Sequence, residues 1–192
     1  MGKVTKADLE KAILAGVHEA FATYEKSSGG YWLWHAPESF MQAMIFQKLS
    51  ALSPGFATLE ASPTRIAMDL ELKRDRRSDK MRDQQRFDIL YWYANGKPRS
   101  IIEVKKVYSD LEKSINDIKR MRPWVSNPNM NIEAGYFVAY TEARGARAEG
   151  TINGRFERLG ERAGAEIVTV SVSEERDDNG CAWGVGLLAT SA

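Results

Sequence analysis

The sequence is short of the residues that build covalent or metal-centred frameworks. Among 192 residues it has one cysteine, Cys181, and two histidines, His18 and His35. A single thiol excludes an intrachain disulfide and a cysteine zinc cluster. The two histidines lack the pair spacing of a zinc site, and no Ser-His-Asp set can be built on them. No apolar run approaches the roughly 18–20 residues that span a bilayer, and the first ten residues are polar and mixed in charge rather than a signal segment. A global charge signature is missing too, since the formal net charge is +1. Gly145 and Gly150 have the glycine spacing of a phosphate loop, but Thr151 stands where that loop needs lysine. The expectation from these absences is a cytoplasmic chain with no membrane partner, in which Cys181 is a buried structural thiol.

What is present suits one domain over residues 1–192. Hydrophobic residues make up 43% of the chain, enough for a core, and charged residues 28%. Leu9, Ile13, Val17 and Phe21 recur every four residues and predict a helix over 6–25. Ser27-Ser28-Gly29-Gly30 breaks it, and Tyr31–Trp34 reads as a short extended piece. Pro37-Glu38-Ser39 opens a second helix to about Leu52, with Phe40, Met44, Ile45 and Leu49 as its apolar stripe. Residues 56–72 read as extended, the alternation of Ile66–Leu72 being that of a half-buried strand.

Two strands follow, Phe87–Tyr93 and Ser100–Val107, then a helix over 109–121 that Pro123 closes. Its apolar stripe is Leu111, Ile115, Ile118 and Met121. A strand over 132–140, a helix over 147–163 and strands over 167–172 and 183–188 complete an order α, α, β, β, β, α, β, α, β, β. That is an α/β fold with a hairpin at its centre.

Asn95-Gly96 between apolar strands is a strong hairpin signal and predicts a two-residue turn. In that register Tyr93 faces Pro98, Leu90 faces Ile101, and Asp88 faces Glu103. Facing carboxylates repel, and a bound cation or a shared proton would relieve the repulsion. Lys105, two residues beyond Glu103, shares its face. Two acids and a lysine at the end of an apolar hairpin are suited to phosphodiester hydrolysis. A metal would polarise phosphate and acidify water, and the ammonium would orient that water and offset developing charge.

These residues resemble the PD-(D/E)XK nuclease superfamily. The matching stretch is Phe87-Asp88-Ile89-Leu90 and Glu103-Val104-Lys105, with fourteen residues between the two acids. Phe87 stands where the family name has proline. The resemblance implies a restriction-endonuclease-like core, a central mixed β-sheet flanked by helices. That core maps to about residues 37–143, leaving an N-terminal helix and a C-terminal αββ elaboration. It implies Mg²⁺, or Mn²⁺, held by Asp88, Glu103 and the Val104 carbonyl, with Lys105 catalytic. Many members add a glutamate from the helix before the meander, and Glu38 is the best-placed residue for that role. Lys106 alternates to the other sheet face and receives no catalytic role.

The implied partner is nucleic acid, by family default DNA, with a homodimer compatible. A local basic segment holds Arg74, Arg76, Arg77, Lys80, Arg82 and Arg86 and fits a polyanion contact. The resemblance implies that the following helix lines the site, which makes Lys113, on its polar face with Asp117, a further candidate substrate contact. Arg155, Arg158 and Arg162 give a later helix a basic stripe that could extend the phosphate track. The alternative is a noncatalytic nucleic-acid- or protein-binding module on the same fold.

Overall fold

The computed structural model describes residues 3–62, 66, 86–107, 111–174, 177 and 180–191. Of the basic segment it includes Arg86 alone; Arg74, Arg76, Arg77, Lys80 and Arg82 lie outside the described residues, as do Ser109 and most of the expected strand over 66–72. Ile66 itself is helical and buried, which corrects the extended reading at that position.

Helices α1 (Lys6–Ser28) and α2 (Glu38–Ser50) precede strands β1 (Phe56–Ala61), β2 (Phe87–Trp92) and β3 (Pro98–Lys106). Helix α3 (Glu112–Val125), strand β4 (Ala134–Arg144), helix α4 (Ala148–Ala163) and strands β5 (Glu166–Val172) and β6 (Cys181–Thr190) follow. The strands form one six-stranded sheet in the order β1-β2-β3-β4-β6-β5. Among the described strands, only β3 and β4 pair in parallel, with α3 as their crossover. A parallel neighbour requires such a crossover, whereas antiparallel neighbours can be joined by a short turn. Among the described residues, no helix is long and apolar enough to cross a membrane.

The sheet carries a core on each face. Leu9, Ile13, Val17 and Phe21 of α1 pack with Ile89, Ile102, Val104 and Val138 on one side. Leu111, Ile115, Ile118, Met121 and Trp124 pack with Leu90, Ile101 and Phe137 on the other. Residues one apart on a strand serve opposite cores, as the two-residue period demands. Thr5 caps α1 reciprocally with Asp8, each satisfying the other's backbone N–H. Gly16 lets α1 and α2 touch at backbone distance, since a Cβ there would stand 2.5 Å from the Ile45 Cα.

Several local expectations are corrected. The stripe of α2 is Met41, Ile45 and Leu49, while Phe40 and Met44 are half-buried. Residues Leu33–His35 form a 3₁₀ turn rather than an extended piece. Pro123 does not close α3, which runs on to Val125 because Trp124 is fully buried in the core and holds the last turn in place. Cys181 is half-buried rather than buried.

The hairpin turn is one residue longer than its Asn-Gly pair predicts. The Tyr93 N–H donates to Lys97 O at 2.8 Å and the Gly96 N–H to Tyr93 O at 3.0 Å. Gly96 takes φ 77°, the left-handed position that ends such a three-residue loop. Trp92 therefore faces Pro98, not Tyr93. Arg99 is then the extra residue of a bulge, and pairing resumes with Tyr91 opposite Ser100, Leu90 opposite Ile101 and Ile89 opposite Ile102. The longer turn and the bulge cancel, so the register beyond them is the expected one.

Candidate active site at the open end of the hairpin

Ile89 and Ile102 are the last paired residues of the hairpin, and Asp88 and Glu103 are their immediate neighbours. Here β2 begins while β3 continues along β4. Asp88 Oδ2 accepts the Val104 N–H at 2.7 Å, so the acid takes over a backbone donor at the end of the ladder. Glu103, in the middle of β3, is fully buried.

Lys105 joins the acids. Its Nζ lies 3.5 Å from Asp88 Oδ2 and 4.0 Å from Glu103 Oε2. It also donates to Glu38 Oε1 at 3.2 Å. Asp88, Glu103, Lys105 and Glu38 are thus brought together, from two strands and the first turn of α2. Glu38 reaches β3 around the end of the strand, where its Oε2 accepts the Lys106 N–H at 3.1 Å. The Lys106 ammonium lies on the opposite side, bonded to the carbonyls of Trp34 and Ala36.

Helix α3 adds two residues that sequence reasoning did not assign. Arg120 Nη2 donates to Glu103 Oε1 at 2.5 Å and to Arg86 O at 3.3 Å. Its guanidinium lies over the Phe87 ring, 5.5 Å from the centroid. Asp117, 3.7 Å from Arg120 Nε, is buried rather than on an exposed polar face. Lys113, by contrast, is exposed and forms no ion pair with Asp117 within 4.0 Å among the described contacts. The row Lys113, Asp117, Arg120 has the i, i+4, i+7 spacing of one helix face, which is the sequence signal that could have found Arg120.

The electrostatics follow from four carboxylates set around two cations. Burial, then the Asp88 charge, pushes the Glu103 carboxyl up to about 8, with Arg120 and Lys105 offsetting part of the rise. Burial likewise raises Asp117. Burial alone would lower the Lys105 ammonium, but the charges of Asp88, Glu38, Glu103 and Asp117 outweigh it and raise the group. Glu103 Oε2 has no hydrogen-bond partner among the described residues, although it is buried. An orphaned carboxylate oxygen beside a second acid is the feature a divalent cation would satisfy. Among the described residues no group of three or more His, Cys, Asp or Glu side chains is disposed around one ion. A cation here would rest on Asp88, Glu103 and a main-chain carbonyl, for which Val104 is the nearest residue in sequence.

Two residues of the basic stripe of α4 have partners within the protein. Arg155 donates to Thr141 Oγ1 and to the Glu142 carbonyl, and Arg162 pairs with Glu112. Arg86 is exposed and ends the basic segment directly before β2. No family model, curated protein or solved structure matches this chain.

Proposed function

We propose that the chain is a metal-dependent nuclease of the PD-(D/E)XK type, hydrolysing phosphodiester bonds, with DNA as its substrate. The supporting observation is the meeting of Glu38, Asp88 and Glu103 around the Lys105 ammonium. The sheet order and the β3–α3–β4 crossover are compatible with a restriction-endonuclease-like core.

Asp88, Glu103 and the Val104 carbonyl are the residues that would hold Mg²⁺ or Mn²⁺. When bound, the ion supplies Lewis-acid polarisation of a phosphate oxygen and a lowered pKa for water. The protein's own contribution is orientation and charge. Arg120 fixes one oxygen of Glu103 and leaves the other facing Lys105. Lys105 stabilises charge developing on the phosphate and orients the attacking water. Glu38 keeps the ammonium in place. Arg86, Lys113 and the segment from Arg74 to Arg82 would contact the phosphate backbone.

A second reading, a noncatalytic binding module, draws on the ion pairs that Lys105 and Arg120 already close with the acids. Cleavage of supercoiled plasmid, linear duplex, single-stranded DNA and RNA in Mg²⁺, Mn²⁺ and EDTA separates the two. Metal-dependent cutting that disappears in Asp88→Ala and Lys105→Ala establishes the nuclease. Metal binding without cutting of any substrate establishes the module.

A further inference from the structure

We infer that Lys106 is the positioning residue for Glu38: it ties the chain ahead of α2 to the end of β3 and thereby holds the Glu38 carboxylate on Lys105. The inference rests on the proposed nuclease site and concerns how that site acquires its third carboxylate.

The start of α2 has no side-chain cap, and the turn ahead of it closes two bonds of its own, from the His35 N–H to Trp32 O and the Ala36 N–H to Leu33 O. The N-cap of α2 is Pro37, and Ala36 is extended at ψ 153°. A residue before proline is kept out of the helical region, so residues 34–36 cannot be held by the bonds of α2. Lys106 supplies what the helix lacks. Its Nζ donates to Trp34 O at 2.9 Å and Ala36 O at 2.5 Å, and lies 5.4 Å from the centroid of the Trp34 ring. Its backbone N–H holds Glu38 Oε2 while Lys105 Nζ holds Oε1. Consecutive residues of β3 therefore grip both oxygens of one carboxylate, and the second of them also grips the chain just ahead of the helix that carries it. Strand alternation makes this possible, because Lys105 and Lys106 point to opposite faces.

The test is a stability cycle in EDTA, independent of cleavage. Glu38→Gln, Lys105→Met and the double variant are compared by urea denaturation in wild-type, Lys106→Met and Lys106→Arg backgrounds. In wild type the Glu38–Lys105 coupling should be about two- to fivefold in the unfolding constant, the range of a partly exposed ion pair. Lys106→Met keeps the backbone bond to Glu38 and removes the ammonium's bonds, so the coupling should fall there and return in Lys106→Arg. Absent coupling in wild type, or coupling unchanged in Lys106→Met, overturns the inference. Should Lys106→Met not fold, Lys106→Gln replaces it, since its shorter amide cannot span both carbonyls; unchanged coupling there overturns the inference equally. In cleavage, Lys106→Met should lower kcat about 10- to 100-fold, the range for residues that support a metal site from outside its ligands. KM should not change, and Glu38→Gln should cost less in this background than in wild type; fully additive losses overturn the inference. Wild type that cuts nothing, while coupling still follows Lys106, refutes the nuclease reading and leaves the positioning role standing.

Discussion

At the turn end of the β2–β3 hairpin, Arg99 is 3% exposed and its Nε donates to Glu133 Oε2 at 2.9 Å. Tyr93 donates its hydroxyl to the other oxygen of Glu133 and lies beneath the guanidinium, 5.2 Å away. The Arg99 and Glu133 charges there meet each other. At the open end of the same hairpin, Glu38, Asp88, Glu103 and Asp117 share two cations, and one oxygen of the fully buried Glu103 is left over. Burial pushes Glu133 up, yet its bonds from Tyr93 and Arg99 hold it below the usual carboxylate range. Burial pushes Glu103 up and Asp88 pushes it further. A closed pair contributes to stability; a cluster with surplus charge costs stability, and that cost is what a binding or catalytic role would explain.

The largest expected effect breaks the open end without unfolding it. Asp88→Asn keeps an oxygen for the Val104 N–H and removes one of the crowded charges. Cleavage in Mg²⁺ should fall at least about a hundredfold, as for loss of a charge-stabilising group, while the urea midpoint holds or rises. A variant that cuts normally would remove Asp88 from the chemistry.

The turn end should respond in reverse. Glu133→Gln leaves the buried Arg99 without its counter-charge and should cost about 1–3 kcal/mol of stability, read from urea unfolding, with specific activity of the remaining folded protein unchanged. Arg99→Met should cost less, because Glu133 is 43% exposed and regains water.

Acid–base behaviour sharpens the contrast. Glu103 is raised in the folded state, so the fold binds its proton more tightly than the unfolded chain does. Its contribution therefore weakens stability progressively from the ordinary glutamate range up to about 8, and the full cost is present above that. Glu133 is lowered, so its contribution is present above the ordinary range and is lost as pH falls. Urea midpoints of metal-free protein across pH 4 to 9 should slope downward in this window, and Glu103→Gln should flatten the slope. An unchanged slope in that variant removes Glu103 as its source.

The smallest effect lies outside both ends. Lys113→Ala should weaken nucleic-acid binding evenly across sequences and reduce the salt slope by about one. A change in sequence preference instead would mean that Lys113 reads bases.

The sequence made the order of helices and strands legible because each long element carries its own period. Leu9, Ile13, Val17 and Phe21 describe the buried face of α1, and Leu111, Ile115, Ile118 and Met121 that of α3. Facing of Asp88 and Glu103 was inferred from a two-residue turn that does not form; the bulge at Arg99 restores the register the turn displaced. No local signal announces such a bulge, since Arg99 is placed there by its tertiary pair with Glu133. Pro123 shows the same limit, because local propensity ends the helix where the burial of Trp124 continues it. Within the site, the two acids and Lys105 were legible from strand alternation, and Glu38 only through a resemblance. Arg120 and Asp117 were legible only as one face of α3, in a row with Lys113; that this face meets the hairpin follows from the β3–β4 crossover, a relation no spacing within the helix expresses.

The contact at Gly16 ties the geometry of the site to a place that holds no charge. Helix α2 carries Glu38 on its first turn and rests against α1 with backbone nearly on backbone. The helix pair is therefore a ruler, with Glu38 at one end of its scale and position 16 as a mark along it. A single methyl group added there would be measured at the far end as a displaced carboxylate, and the proposed nuclease activity would register the thickness of one carbon atom.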